Sequence, residues 1–130
     1  MEATEARAVF RAQRDAFARR YPSTRSVTFH IVNMACPDGF ECAPRDLAWY
    51  VAGRVYLLQR ALRLGRNKVS ALIAHELGHA ADRRRWERGS EQRADDIAEK
   101  VLGRVIRYDR RTLVQTFGPG IYPRPMSLHT

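Results

Sequence analysis

At 130 residues and 45% apolar content, the chain has the length of one domain and enough apolar side chains for a packed interior, which excludes wholesale disorder. No apolar run approaches the ~18 residues of a membrane-spanning helix. The start, Met1-Glu2-Ala3-Thr4-Glu5, lacks the basic-then-apolar order of a secretory signal, so a cytoplasmic location and no membrane partner are expected.

The net charge is +9, and all but Lys68 and Lys100 of the 23 basic residues are arginine. This reads either as attraction to an anionic partner, nucleic acid or an acidic protein, or as an ordinary solvated surface. No nucleic-acid-binding signature accompanies the charge, which favours the solvated surface.

The spacing predicts a first helix over residues 4–20, with Thr4 as its N-cap, Glu5 in its first turn and Pro22 ending it. Ala6, Val9, Phe10, Ala16 and Phe17 form its apolar stripe. Val27 to Val32 is a β-branched and aromatic run that reads as a strand. His30 within it is a weak metal candidate, since a strand histidine mostly satisfies local hydrogen bonds. Residues 36–46 read as a loop carrying Cys36 and Cys42. A disulfide across it is sterically possible but would be reduced in a cytoplasmic chain. Two cysteines alone are no zinc-finger set, and most lone thiols are small structural hydrophobes. Residues 47–51 and 54–58 flank Ala52-Gly53 and predict a hairpin, giving a sheet of about three strands.

Asn67 is the expected cap of the next helix, which carries Val69 to Ala81 and, inside it, His75-Glu76-Leu77-Gly78-His79. Residues i and i+4 share a helix face, so His75 and His79 can hold one metal ion together. Glu76, one step round, stands where a carboxylate can poise a water. Leu72, His75, His79, Asp82 and Trp86 share the spacing of a face turned into a cleft, opposite an apolar side. The helix should fray at Arg83-Arg84-Arg85, where cations suit its C-terminal dipole. Ser90 is the expected cap of a helix from Glu91 to Ile106 with a strong apolar stripe. A short helix over 110–117 and an extended Pro-rich tail over 118–130 complete the chain, dividing it into a domain at 1–117 and the tail.

A catalytic zinc takes three protein ligands and keeps a position for water. His75 and His79 supply two. Glu91 is the leading third donor; Asp95, one turn on, either competes or supports a ligand histidine from behind. Asp82, on the same rigid helix as the histidines, lies too far along to close the site. In a hydrolytic reading zinc lowers the pKa of its water toward ~7, and Glu76 acts as general base.

His-Glu-Leu-Gly-His followed by Glu91-x-x-Ala94-Asp95 resembles the gluzincin zinc peptidases, most of all the minigluzincins and small antirepressor-type peptidases. The resemblance implies a zincin-like α+β domain, its three-stranded sheet packed on the N-terminal, motif and glutamate helices. It implies one Zn2+, Glu91 as third ligand, Asp95 supporting a ligand histidine, and a peptide or protein substrate cut by a metal-activated water. The 11 residues between His79 and Glu91 are fewer than the clan usually has, so the turn must be tight. An oxyanion donor is also expected; Tyr108, Tyr122 and His129 are candidates that no spacing separates. A tail folded back over the cleft is a further possibility the resemblance suggests. The alternative is a latent or inactive zincin-fold module that engages nucleic acid or an acidic protein through its arginines.

Overall fold

The computed structural model describes residues 1–33, 40–41, 47–85, 87–104 and 124–125. It is a small α+β protein in which helices cover one face of a three-stranded mixed sheet. Among the described residues no helix is long and apolar enough to cross a membrane.

Helix α1 spans Ala3–Arg20 and buries Ala6, Phe10, Gln13 and Phe17, a stripe at helical spacing. Its cap is Glu2, with extended backbone, rather than Thr4: the Ala6 N–H already bonds the Glu2 carbonyl at 3.0 Å, so the first helical bond forms two residues early. Gln13 replaces an apolar side chain in the stripe because its Nε2 donates to the Ser70 carbonyl at 3.1 Å, which ties α1 to the motif helix. A 3-10 turn, Pro22–Ser26, follows. Strand β1 is Thr28–Val32, so Val27 closes the turn instead of opening the strand.

Strands β3 (Ala48–Val51) and β4 (Arg54–Leu58) form the expected hairpin, with the two-residue Phe40–Glu41 as β2 before them. The sheet order is β1-β4-β3, with β1 parallel and β3 antiparallel to the central β4. Phe29, Ile31, Val55, Leu57, Ala48 and Tyr50 therefore share the face turned to the helices, because the side-chain period of a strand is 2. A second apolar cluster, Trp49 and Leu58 with Val32, Val51 and Tyr56, lies on the other face. The run 59–64 turns into a 3-10 helix.

Helix α2, Arg66–Ala81, is buried at every position from Val69 to Ala81. The two-faced helix expected from the sequence, apolar on one side and open to a cleft on the other, is thus corrected. Small and apolar residues on all sides let α1, α3 and the sheet surround it. It starts at Arg66 with Gly65 as cap, not at Asn67, since the Val69 N–H bonds the Gly65 carbonyl at 3.1 Å. Helix α3 spans Ser90–Leu102 with Gly89 as cap, one residue earlier than the expected Ser90 because the Arg93 N–H reaches the Gly89 carbonyl. It stops at Gly103, short of the expected Ile106, where the Gly103 N–H closes on Glu99. In the tail Arg124–Pro125 (β5) pairs antiparallel with β2. The cysteine loop otherwise, Trp86, and the expected helix over 110–117 lie outside the described residues.

The hairpin turn carries a cost. Ala52 and Gly53 both have positive φ, 49° and 81°, the combination a right-twisted two-residue hairpin requires. Gly53 adopts it freely; Ala52 pays about 1–2 kcal/mol for its Cβ. Ala52→Asn is expected to stabilise the protein by about 1 kcal/mol, raising the thermal midpoint by a few degrees. Paired denaturant and thermal melts check this, with an unchanged denaturant slope showing that only the native turn was affected.

Candidate metal centre

Three side chains converge between α2 and α3. His75 Nε2 lies 2.8 Å from Glu91 Oε2, His79 Nε2 lies 3.0 Å from Glu91 Oε1, and the two Nε2 atoms are 3.1 Å apart. The imidazoles meet edge to face, with centroids 4.6 Å apart. Both histidines are fully buried, and Glu91 is the member of the group that reaches solvent. Behind them, His75 Nδ1 donates to Asp95 Oδ1 at 2.8 Å, which fixes the ring and turns Nε2 toward the other donors.

The donor set fits a metal ion. A tetrahedral ion with bonds of ~2.0–2.1 Å would space its ligand atoms by about 3.3 Å; here the two Nε2 atoms are 3.1 Å apart, and each has a Glu91 oxygen of its own at 2.8 or 3.0 Å. His75, His79 and Glu91 form a group that could hold one.

Two imidazole nitrogens at 3.1 Å cannot both present lone pairs without a cation or proton between these groups. Without metal, a proton fills the role. Burial alone would lower the His75 pKa. The hydrogen bonds to Asp95 and Glu91, with the charges of Glu76 and Glu91, override it and raise the pKa to about 10. His79, buried with fewer carboxylate partners and facing a charged His75, is pushed below its ordinary value. Burial would raise Glu91, but hydrogen bonds to both histidines and their charges hold it down at about 2. The metal-free centre is therefore an imidazolium clamped between two carboxylates.

The short link between the helices is closed by side chains. Asp82 caps α2: its Oδ1 accepts the Arg84 N–H at 3.0 Å and its Oδ2 accepts Arg93 Nε at 3.0 Å. Arg93 also donates from Nη1 to the Arg88 carbonyl and from Nη2 to the carbonyls of Arg84 and Glu87, so one guanidinium from α3 gathers the turn. Arg85 donates to the carbonyls of His79 and Ala80, the last acceptors of α2, and lies over the Tyr50 ring. This places Glu91 in the first turn of α3, where the helix dipole also favours a carboxylate.

The helices touch at Gly78. A Cβ there would stand 2.2 Å from the Ala94 carbonyl oxygen, where ordinary contact begins at 3.4 Å.

Of the residues singled out in the sequence, the structure brings together His75, His79, Glu91 and Asp95, with the buried Glu76 interacting electrostatically with His75. Asp82 is not among the donors; it holds Arg93 instead. His30 is elsewhere, exposed on β1, bonded to Thr28 Oγ1 at 2.8 Å, with its ring tilted 30° against that of Tyr56. Tyr108, Tyr122, His129, Cys36 and Cys42 lie outside the described residues. The sequence does not single out Arg93 or the close approach at Gly78, whereas the placing of Arg85 at the C-terminal end of the motif helix follows from the expected cation there. The chain matches no protein-family model, no curated protein and no solved structure.

Two outcomes are expected. Gly78→Ala forces α3 outward, costing about 1–3 kcal/mol of stability and weakening metal affinity, because Glu91 moves while the histidines stay; thermal melts and metal titration check both.

The second concerns pH. Above 6.5 the folded protein keeps a proton on His75 that the unfolded chain releases, so stability falls toward pH 10. Below 6.5 the unfolded chain protonates His79 while the folded one resists, and below 4.5 Glu91 adds a further loss as its carboxylate is protonated. Melts in chelator should peak near pH 6.5. A bound divalent ion replaces the His75 proton and removes the alkaline fall, and its affinity should rise about tenfold per pH unit toward pH 10.

Proposed function

We propose that the chain is a zinc-dependent endopeptidase of gluzincin type, with His75, His79 and Glu91 as the metal ligands. The observation that carries this is the meeting of Glu91 from α3 with the two motif histidines at 2.8 and 3.0 Å. Among the described residues three donors converge, not four. Three is the count of a catalytic zinc centre, whereas structural zinc is closed by four protein ligands. The donors, two imidazoles and one carboxylate, suit zinc.

Zinc, when bound, supplies a Lewis acid and a water nucleophile usable at neutral pH. The chain's own residues do the rest. Asp95 holds the Nδ1 proton of His75 and so keeps its Nε2 available as a ligand. Glu76, next to His75 on the same helix and buried, accepts the proton of the attacking water and hands it to the leaving amine. Its burial strengthens that exchange, since water does not screen it. The substrate lies extended against β3. This strand is at the sheet edge beside α2, and the hairpin register turns the N–H and C=O of Ala48 and Tyr50 outward.

Glu76→Gln is expected to keep one equivalent of zinc and the wild-type melting curve while cleavage of an unstructured protein falls by about 10²–10⁴-fold. Metal analysis alongside a casein digestion measures both. A wild-type protein that takes up no zinc would sink this reading.

A further inference from the structure

A second strand edge lies on the opposite side of the sheet from β3. Strand β1 pairs only on its β4 side among the described strands of that sheet. The Thr28 N–H bonds the Gly53 carbonyl, so in a parallel ladder Thr28, His30 and Val32 direct their backbone groups to β4. Phe29 and Ile31 therefore direct theirs to the open edge, where among the described residues they meet no hydrogen-bond partner.

Beside this edge runs a groove of about 220 Å3 between β1 and α1, lined by Arg7, Phe10, Arg11, Arg14, Thr28 and Phe29. Arg7, Arg11 and Arg14 recur at i, i+4 and i+7 and so stand in one row along α1. Arg14 is anchored on the Val27 carbonyl and over the Phe10 ring. Arg7 and Arg11 are exposed, and among the described residues neither enters an ion pair.

Two kinds of anionic chain could be drawn to such a row, and the aromatics separate them. A nucleic-acid strand needs free ring faces for its bases. Here Phe10 and Phe29 are stacked on each other, centroids 4.9 Å apart and 14° from parallel, and the Arg14 guanidinium sits over Phe10. Phe10 itself is 2% exposed. An extended peptide needs unpaired backbone groups on an edge strand, which Phe29 and Ile31 offer.

We infer that the β1 edge docks an extended acidic peptide segment as an added strand, with its carboxylates on Arg7 and Arg11. Alternate side chains of the added strand point into the groove, the others to solvent. The surface is separate from the metal centre, and docking requires no catalysis.

The test uses a fluorescein-labelled peptide of about ten residues that alternates Glu with Val and Thr, long enough to span β1. It should bind the full chain, weaken at least tenfold in Arg7→Glu/Arg11→Glu, and weaken again when salt rises from about 0.05 to about 0.5 M. The same peptide with Lys for Glu should not bind. Hydrogen exchange gives a readout free of mutation: the bound peptide should slow the Phe29 and Ile31 amides and leave His30, already bonded to β4, unchanged. Equal binding of the Lys peptide, unaltered affinity in the double variant, or no added protection at Phe29 and Ile31 would each overturn the inference. So would preferential binding of a ten-nucleotide single strand that competes the peptide off, which would make the row a nucleic-acid contact.

Discussion

The structure depends on a charge problem at the junction of α2 and α3. Two imidazoles and the carboxylates of Glu76, Glu91 and Asp95 are gathered between α2 and α3, and both histidines are shut off from water. Carboxylates in such a place are costly unless a positive charge stands among them. A proton on His75 meets that need in the metal-free protein, and a divalent cation would meet it better because it can satisfy all three convergent donors together. The junction is thus a poor hydrophobic core and a group of donors that could hold a metal ion, and the surrounding apolar packing of α2 supplies the stability it withholds.

Holding that junction requires two devices of opposite kind. Gly78 removes a side chain so that the α3 backbone can come close. Arg93 adds one, reaching across to Asp82 and to three loop carbonyls so that the turn between the helices has one path. The pair is largely shielded: side-chain exposure is 20% for Arg93 and 5% for Asp82. Charge-assisted bonds of that kind are worth more than surface pairs, which contribute about 0–1 kcal/mol. Neither device touches the metal donors directly except through Glu91, whose position on the first turn of α3 they define.

The arginines fall into different physical roles. Arg85 and Arg93 are structural: they donate to helix-end and loop carbonyls, those of His79, Ala80, Arg84 and Arg88 among them. Arg14 is half structural, tied to Val27 and packed on Phe10. Arg7 and Arg11 have no such duty among the described residues and remain available for an outside partner. Burial and neighbouring carbonyls sort these side chains individually, which the net charge alone does not show.

Much of the fold was legible in local pattern. The hairpin at Ala52-Gly53, the β1 run, the α1 stripe and the motif helix follow from periodicity and turn chemistry, which act over a few residues. Helix caps were read one or two residues late at Thr4, Asn67 and Ser90, because an attractive cap side chain does not decide where the first backbone bond closes. The pairing of His75 with His79 was legible too, since i and i+4 on one helix are neighbours whatever surrounds them. By itself, the sequence marked the main helices and the hairpin and put His75, His79 and Glu91 forward as candidate donors. Only tertiary structure decided that Glu91 reaches both histidines, that Asp82 serves Arg93 rather than the ion site, and that α2 is enclosed on every side. Those outcomes rest on how closely two helices approach and how one guanidinium folds the link between them, and both are set by contacts between residues distant in the chain.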